Sequence, residues 1–309
     1  MAYFDLREFM GALESAGEFQ RVTNQIDPHL EAGAIAQRLA ERGGPAVHFS
    51  NVKGASNGVT MAAGLVGRGM KGLWSKVAIA LEIDPQSDYH TVLEEVLRRR
   101  ESPIRPLQVD GGLCKEAKVD GASVDLCAVA APYLHDGDGG NYLTTWAITM
   151  AQEPGGGYLA WDVLPLMVSS KNTLTGHFNR DSAVGGIWHD SYASEGKEMP
   201  FAIALGTVPT ATMAAAFQTR RGSTTKAEIA GSLQREPMQM VKSELSDLLV
   251  PAAAEMILEG VVVPGKTADT GPFPGTFGYV AGGMTEGTVF KVKTITHRKD
   301  PILPFSAWG

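Results

Sequence analysis

The chain has 309 residues, 44% of them apolar and 20% charged, and a formal net charge of −7. That length can bury one large core or two medium ones, and that composition excludes a disordered chain. The acidic balance excludes the electrostatic footprint of a nucleic-acid or anionic-membrane binder. The longest apolar run, at about 202–217, is interrupted by Gly206, Pro209 and several threonines and is too short to span a bilayer. The N-terminal MAYFDLREFM has an early Asp5 and no basic stretch ahead of an apolar one, so no secretory signal is expected and a cytoplasmic location is.

Taken in chain order, Phe4, Leu6, Phe9, Met10 and Leu13 fall at helical spacing and predict a helix within 4–20, with Asp5 as its cap and Gly17 at its end. GEFQRV reads as a short strand. Asp27 and Pro28 mark the start of a second helix running to Gly43 and Gly44, because proline at the first helical position gives up an N–H that has no partner there. PAVHFSNV alternates as a strand, 59–65 reads as another, and helices are expected at 71–81 and 89–100. The last of these ends in basic residues, which complement the helix dipole. Strand–helix alternation predicts a small α/β domain over 1–105, closed by the Pro-rich segment SPIRPLQVDG. Over 106–309, strand-like runs at 119–124, 142–152, 158–168, 201–208 and 289–297 predict a mainly β second domain. Helices are expected within it at about 178–195, 209–217, 224–233 and 250–258.

Several residues invite chemistry and have plainer readings. Cys114 and Cys127 lack a metal-ligand spacing and, in a reducing compartment, read as free buried thiols. His135, Asp136 and Asp138 in HDGDGG read as a turn built on Asp and Gly preferences rather than a metal site. Glu255 and Glu259 lie one helical turn apart, and a structural role is preferred over an acid–base pair. No GxGxxG at a strand–helix junction, P-loop or GxSxG is present, so Rossmann, kinase-type and nucleophilic-serine readings have no support.

ELSDLLVPAAAEMILEG (244–260) and TGPFPGTFGYV (270–280) carry the strongest signal. With DLREFMGALESAGEFQRV, IDPHLEAGAIAQR, GGPAVHFSNVKG, VDGASVDL, HDGDGGNYLTTWAITMAQEP and ITHRKDPILP, in order, they resemble the UbiD-type decarboxylases, which use prenylated flavin mononucleotide (FMN). The resemblance covers nearly the whole chain. It implies an α+β fold, with the N-terminal α/β domain followed by a split β-barrel of flavin-reductase type. Because the chain stops at Gly309, the family's C-terminal α/β domain, and the lysine it gives to the cofactor phosphate, are expected to be absent.

The same resemblance implies an arginine flanked by two glutamates, the arginine pairing with a substrate carboxylate and a glutamate giving the proton. Anchored on Trp161, the segment AWDVLP puts Pro165 at the arginine position. Anchored on Pro272, Phe273, Gly278 and Tyr279, Thr270 and Gly275 stand at the glutamates. None of the three can do that work. The family's divalent cation, held by Asn, His and Glu at the flavin phosphate, meets Ala160, the stretch around Gly185 and Gly186 with His189 close but shifted, and Thr225 or Lys226. An ammonium repels a metal and attracts phosphate, so no metal requirement is expected. A metal-independent phosphate site on Lys226 and Arg220, with Arg221 beside it, is weighed against solvated loop cations.

By the same placement Trp161, Val163, Leu164, Pro165, Ala216, Phe217, Arg220 and Lys226 are expected to hold FMN or prenylated FMN. Asp162, His177 and Thr270 are the candidate catalytic residues. Asp162 is weighed against an outward-facing strand residue, His177 against an exposed histidine, and Phe217 against helical core packing. With arginine and both acids gone, the expected activity is redox chemistry or reductive elimination on a small aromatic or conjugated molecule in specialised metabolism, by a flavin-dependent oxidoreductase or lyase. Two alternatives stay open: a (de)carboxylase of an aromatic or α,β-unsaturated acid with substitute residues, and a non-catalytic flavin carrier or partner subunit. A homo-oligomer is expected, with symmetric contacts as the default.

Overall fold

The computed structural model describes residues 3–56, 58–275 and 283–307. The N-terminal part runs α1 (Leu6–Ser15), β1 (Phe19–Val22), α2 (Glu31–Arg42), β2 (Ala46–Phe49), β3 (Thr60–Ala63), α3 (Ser75–Ala80) and α4 (Tyr89–Arg100). α1 buries Leu6, Phe9, Met10 and Leu13, and Asp5 accepts the Glu8 N–H as its cap. α2 ends on Gly43 in the left-handed conformation, but it starts at Glu31, later than Pro28 suggests. β1 pairs parallel with β2, and β2 antiparallel with β3. The far edge of this sheet is β15 (Ile302–Phe305), parallel to β3, so the last strand of the chain completes the first sheet.

After β4 (Leu107–Val109) and β5 (Ala117–Asp120) come β6 (Ala147–Gln152), β7 (Leu159–Asp162), β8 (Met167–Ser170), β9 (Thr173–Gly176), α5 (Ala183–Ile187), β10 (Met199–Leu205), α6 (Pro209–Ala216) and α7 (Lys226–Gln234). β11 (Gln239–Lys242), β12 (Leu249–Pro251), β13 (Met256–Thr270) and β14 (Thr285–His297) follow. The large sheet runs β7-β6-β10-β13-β14-β9-β8, with β5 also on β14. No pairing among the described residues joins β7 to β8, so hydrogen bonds among them do not close the expected split barrel. β4 leaves the Pro-rich segment to pair with β11 in a small third sheet.

Four local expectations are corrected. The segment 250–258 is not a helix. β12 pairs with β11, and Met256 onward is a central strand between β10 and β14, buried on both faces over 256–260, where its run carries no period to distinguish it from a helix. Within it a Cβ on Gly260 would overlap the Lys291 carbonyl at a register shift, so the close approach of β13 and β14 requires glycine there. The 158–168 run is two strands, β7 and β8, with an irregular stretch through Val163, Leu164 and Pro165. The 178–195 helix starts only at Ala183, after a turn capped by Ser182, and the 71–81 helix shortens to α3.

Lys76 lies in the N-terminal core with only 2% of its surface exposed and donates to the Gly44 carbonyl at 3.3 Å. Burial pulls its ammonium down to about 8, against the opposing field of Glu18. An unfolded lysine holds its proton to about 10.4, so between these values the unfolded chain binds more protons and stability rises with pH. Urea unfolding of wild type and Lys76→Met should show wild type gaining roughly 2–3 kcal/mol on the variant between pH 7.5 and 10. Parallel pH profiles would contradict this.

Candidate functional site

β7 ends at Asp162, and its alternation decides what faces the site. Trp161 is fully buried in the main core, whereas Asp162 points the other way and lines a cavity of about 640 Å³. The cavity opens where the ends of β7 and α6 meet the first turns of α5 and α7. Lys226 Nζ donates to Asp162 Oδ1 and to the Ala215 carbonyl, each at 2.8 Å, and the Val184 N–H donates to Asp162 Oδ2 at 2.7 Å. One carboxylate thus joins β7, α5 and α7, and the lysine satisfies a C-terminal carbonyl of α6 that has no helical partner. The pair is nearly dry, with 4% and 12% of the two side chains exposed. Asp162 is therefore no outward strand residue and Lys226 no solvated loop cation.

The other expected flavin contacts divide. Val163, Leu164, Ala216, Phe217 and Arg220 line this cavity; Trp161 does not. Phe217 caps α6 rather than packing inside a helix, and Arg100 of α4 lies 4.9 Å over its ring. Arg220 is exposed, whereas Arg221 is tied to Glu153 and Asp190.

A second cavity of about 390 Å³ adjoins the first and shares Leu164 and His177 with it. Pro165 and Thr270 line this second cavity, with Tyr142, Phe273 and Thr285. His177 is exposed and its Nε2 lies 2.9 Å from Thr285 Oγ1. Tyr142 packs on Phe273 with ring centres 4.1 Å apart, and burial pushes its phenol up to about 12, so it stays a proton-bearing donor. Gly275 is exposed and does not line the cavity, and Gly278 and Tyr279 lie outside the described residues. The HDGDGG turn packs against this wall. The Gly139 N–H donates to the Pro272 carbonyl at 2.8 Å, and a Cβ on Gly139 would overlap the Gly271 carbonyl.

A divalent cation does not fit the donors present. Among the described residues no three His, Cys, Asp or Glu side chains cluster as ligands. Both oxygens of Asp162 are engaged, Ala160 is buried in the core, His189 does not line the cavity, and Thr225 is the N-cap of α7. Glu255 and Glu259 are structural, as preferred, though Glu255 lies just before β13 and Glu259 within it, not on a helix. Glu255 takes Arg7, Arg298 and the Ile302 N–H; Glu259 takes the N–H groups of Glu244 and Leu245. Cys114 is buried, which raises its thiol to about 12, but Cys127 is exposed. Tyr142, Thr285, Asp181 and Ser182 were not singled out from sequence; only the adjacency of Tyr142 to the HDGDGG glycines could have flagged one of them.

Residues 107–309 match the model of the Rift-related domain of 3-octaprenyl-4-hydroxybenzoate carboxy-lyase (UbiD), and residues 10–96 match that of its N-terminal domain. The chain therefore belongs to the UbiD family. It is 31% identical to ferulic acid decarboxylase 1 of Saccharomyces cerevisiae and 32% identical to pyrrole-2-carboxylic acid decarboxylase of Pseudomonas aeruginosa, in each case over 99% of this chain and 62% of the relative. The chain thus spans under two thirds of the length of these curated relatives. Among solved structures it resembles vanillic acid decarboxylase of Sedimentibacter hydroxybenzoicus in its closed form, with a TM-score of 0.92 and 27% identity over 100% of this chain and 65% of that one. The UbiD-class enzyme HmfF of Pelotomaculum thermopropionicum, in an evolved dimeric form with prenylated FMN, gives 0.88 and 28% over 99% of this chain and 68% of that one.

Removing one member of the Asp162–Lys226 pair strands a buried charge. Lys226→Met should cost about 3–5 kcal/mol in denaturant unfolding, and the double variant Asp162→Asn with Lys226→Met should recover most of that loss. Additive losses would show that the two residues do not act as a unit.

Proposed function

We propose that the chain holds FMN or prenylated FMN in the larger cavity and acts on a small aromatic or conjugated acid, seated in the smaller one, by decarboxylation or its reverse. The observation that carries this reading is the pair of adjoining cavities sharing Leu164 and His177. The larger offers an apolar wall of Val163, Leu164, Ala216 and Phe217 to a flat ring, and Lys226 and Arg220 to a phosphate. Its volume falls in the range of small-molecule sites. Solved relatives in complex with prenylated FMN and with FMN support the ligand class. Relatives named as decarboxylases of ferulic acid and pyrrole-2-carboxylic acid support the reaction class. The residue types at Pro165, Thr270 and Gly275 alone speak for redox or elimination chemistry. The relatives speak for decarboxylation, which takes its place.

A prenylated flavin, when bound, supplies an electron sink for the carbon that loses its carboxyl group. This chain's residues must seat the acid, exclude water and manage a proton. In the smaller cavity Pro165 and Thr270 bring no charge, and His177 and Tyr142 are the titratable side chains among the described lining residues. On this reading His177 meets the carboxylate and returns the proton, held by Thr285, while Tyr142, whose hydroxyl donates to the Pro272 carbonyl at 3.4 Å, closes the buried side. Asp162 acts at one remove, as a positioning residue through Lys226. A second copy of the chain is the further partner proposed.

Protein loaded with prenylated FMN should release CO2 from, or catalyse H/D exchange into, at least one aromatic or heteroaromatic acid of a panel. His177→Ala should lower that rate by about 100-fold. A wild-type rate in the variant removes His177 from the chemistry. No turnover of any acid by flavin-loaded protein removes decarboxylation and favours the flavin-carrier reading.

A further inference from the structure

We infer that the larger cavity grips phosphate with a tethered ammonium, that of Lys226, and needs no divalent cation. This rests on the flavin reading above and specifies how the ligand's charged end is held. Lys226, Asp162 and Ala215, the three residues joined through Nζ, all line the cavity. An ammonium has three N–H donors, and two are spent on the wall, which leaves one for a ligand oxygen. The lysine also stands at an unusual place. It is the first residue of α7, at the positive end of a nine-residue helix, where a cation opposes the helix dipole and an anion is favoured. The capping box between Thr225 and Glu228 occupies their two N–H groups, while those of Lys226 and Ala227 have no acceptor within the helix.

Burying a lysine there is costly unless something offsets it, and Asp162 does so in the protein alone. Each Asp162 oxygen already accepts one hydrogen bond, from Lys226 or from the Val184 N–H, so the carboxylate's charge is spent on the lysine. A divalent ion beside it would meet the ammonium at close range. Lysine binds phosphate as a compact point charge, which suits this geometry. Arg220 on the exposed rim adds a second cation. Asp181, exposed and without an ion-pair partner among the described residues, lines the same cavity and opposes an anion.

Titration of the flavin-free protein with FMN and with riboflavin, in EDTA and then with Mn2+ or Mg2+, tests this. FMN should bind at least about tenfold tighter than riboflavin in EDTA, with less than about a twofold change on adding metal. The double variant Asp162→Asn with Lys226→Met, which leaves no buried carboxylate stranded, should remove most of FMN's advantage over riboflavin, Arg220 keeping the remainder, and leave riboflavin unchanged. Arg220→Gln should weaken FMN alone, and Asp181→Asn should tighten it. Equal affinities for the two flavins overturn the inference, as does FMN binding that collapses in EDTA and returns with Mn2+. If neither flavin binds, the flavin reading fails. The anion site is then decided by calorimetry with inorganic phosphate: binding to wild type but not to the double variant upholds it, and no binding overturns it.

Discussion

The contact on which the rest of the site depends is the ion pair between Asp162 and Lys226. It joins the end of a strand to the starts of two helices and the end of a third, with 2.8 Å between the charges. Two ions out of water cost several kcal/mol unless charge and hydrogen bonds are matched, and here Lys226 spends two of its three donors and each Asp162 oxygen accepts one bond. The pair therefore fixes the relative position of β7, α5, α6 and α7 more than it adds to net stability. The larger cavity is the space those four elements leave between them.

The two cavities differ in character. The larger has charge built into its wall and apolar surface around it; the smaller is lined by no carboxylate, lysine or arginine among the described residues, and its polar side chains are Tyr142, Thr270, Thr285 and the histidine at the junction. That division suits a ligand with a charged tail and a flat ring, meeting a second, smaller molecule across His177. It also explains how a UbiD-family chain can have Pro165 and Thr270 in its second cavity without losing the shape of the wall. The Tyr142–Phe273 contact and the Gly139 approach hold that surface from behind.

Much of the fold was legible because local and global preferences agree. The Asp5 cap and apolar stripe of α1, the Gly43 stop of α2 and the Thr225 capping box of α7 act within one or two turns. Residues 250–258 failed because alanine, glutamate, methionine and leucine favour helix, while the state is decided by pairing with β10 and β14, distant in sequence. The site followed the same rule. The resemblance found the right segments, but a one-residue difference in strand register separates Asp162 in the cavity from Trp161 in the core. The partnership of Asp162 with Lys226 spans 64 residues and leaves no local trace. The closing of the first sheet by β15 was hidden for the same reason.

The central claim is that the larger cavity is a flavin site. The most direct measurement is mass spectrometry of the small molecule released on denaturing protein purified from cells that make prenylated FMN. The account predicts FMN or prenylated FMN in amounts stoichiometric with the chain. Protein recovered without flavin, and unable to take it up on addition, would contradict it.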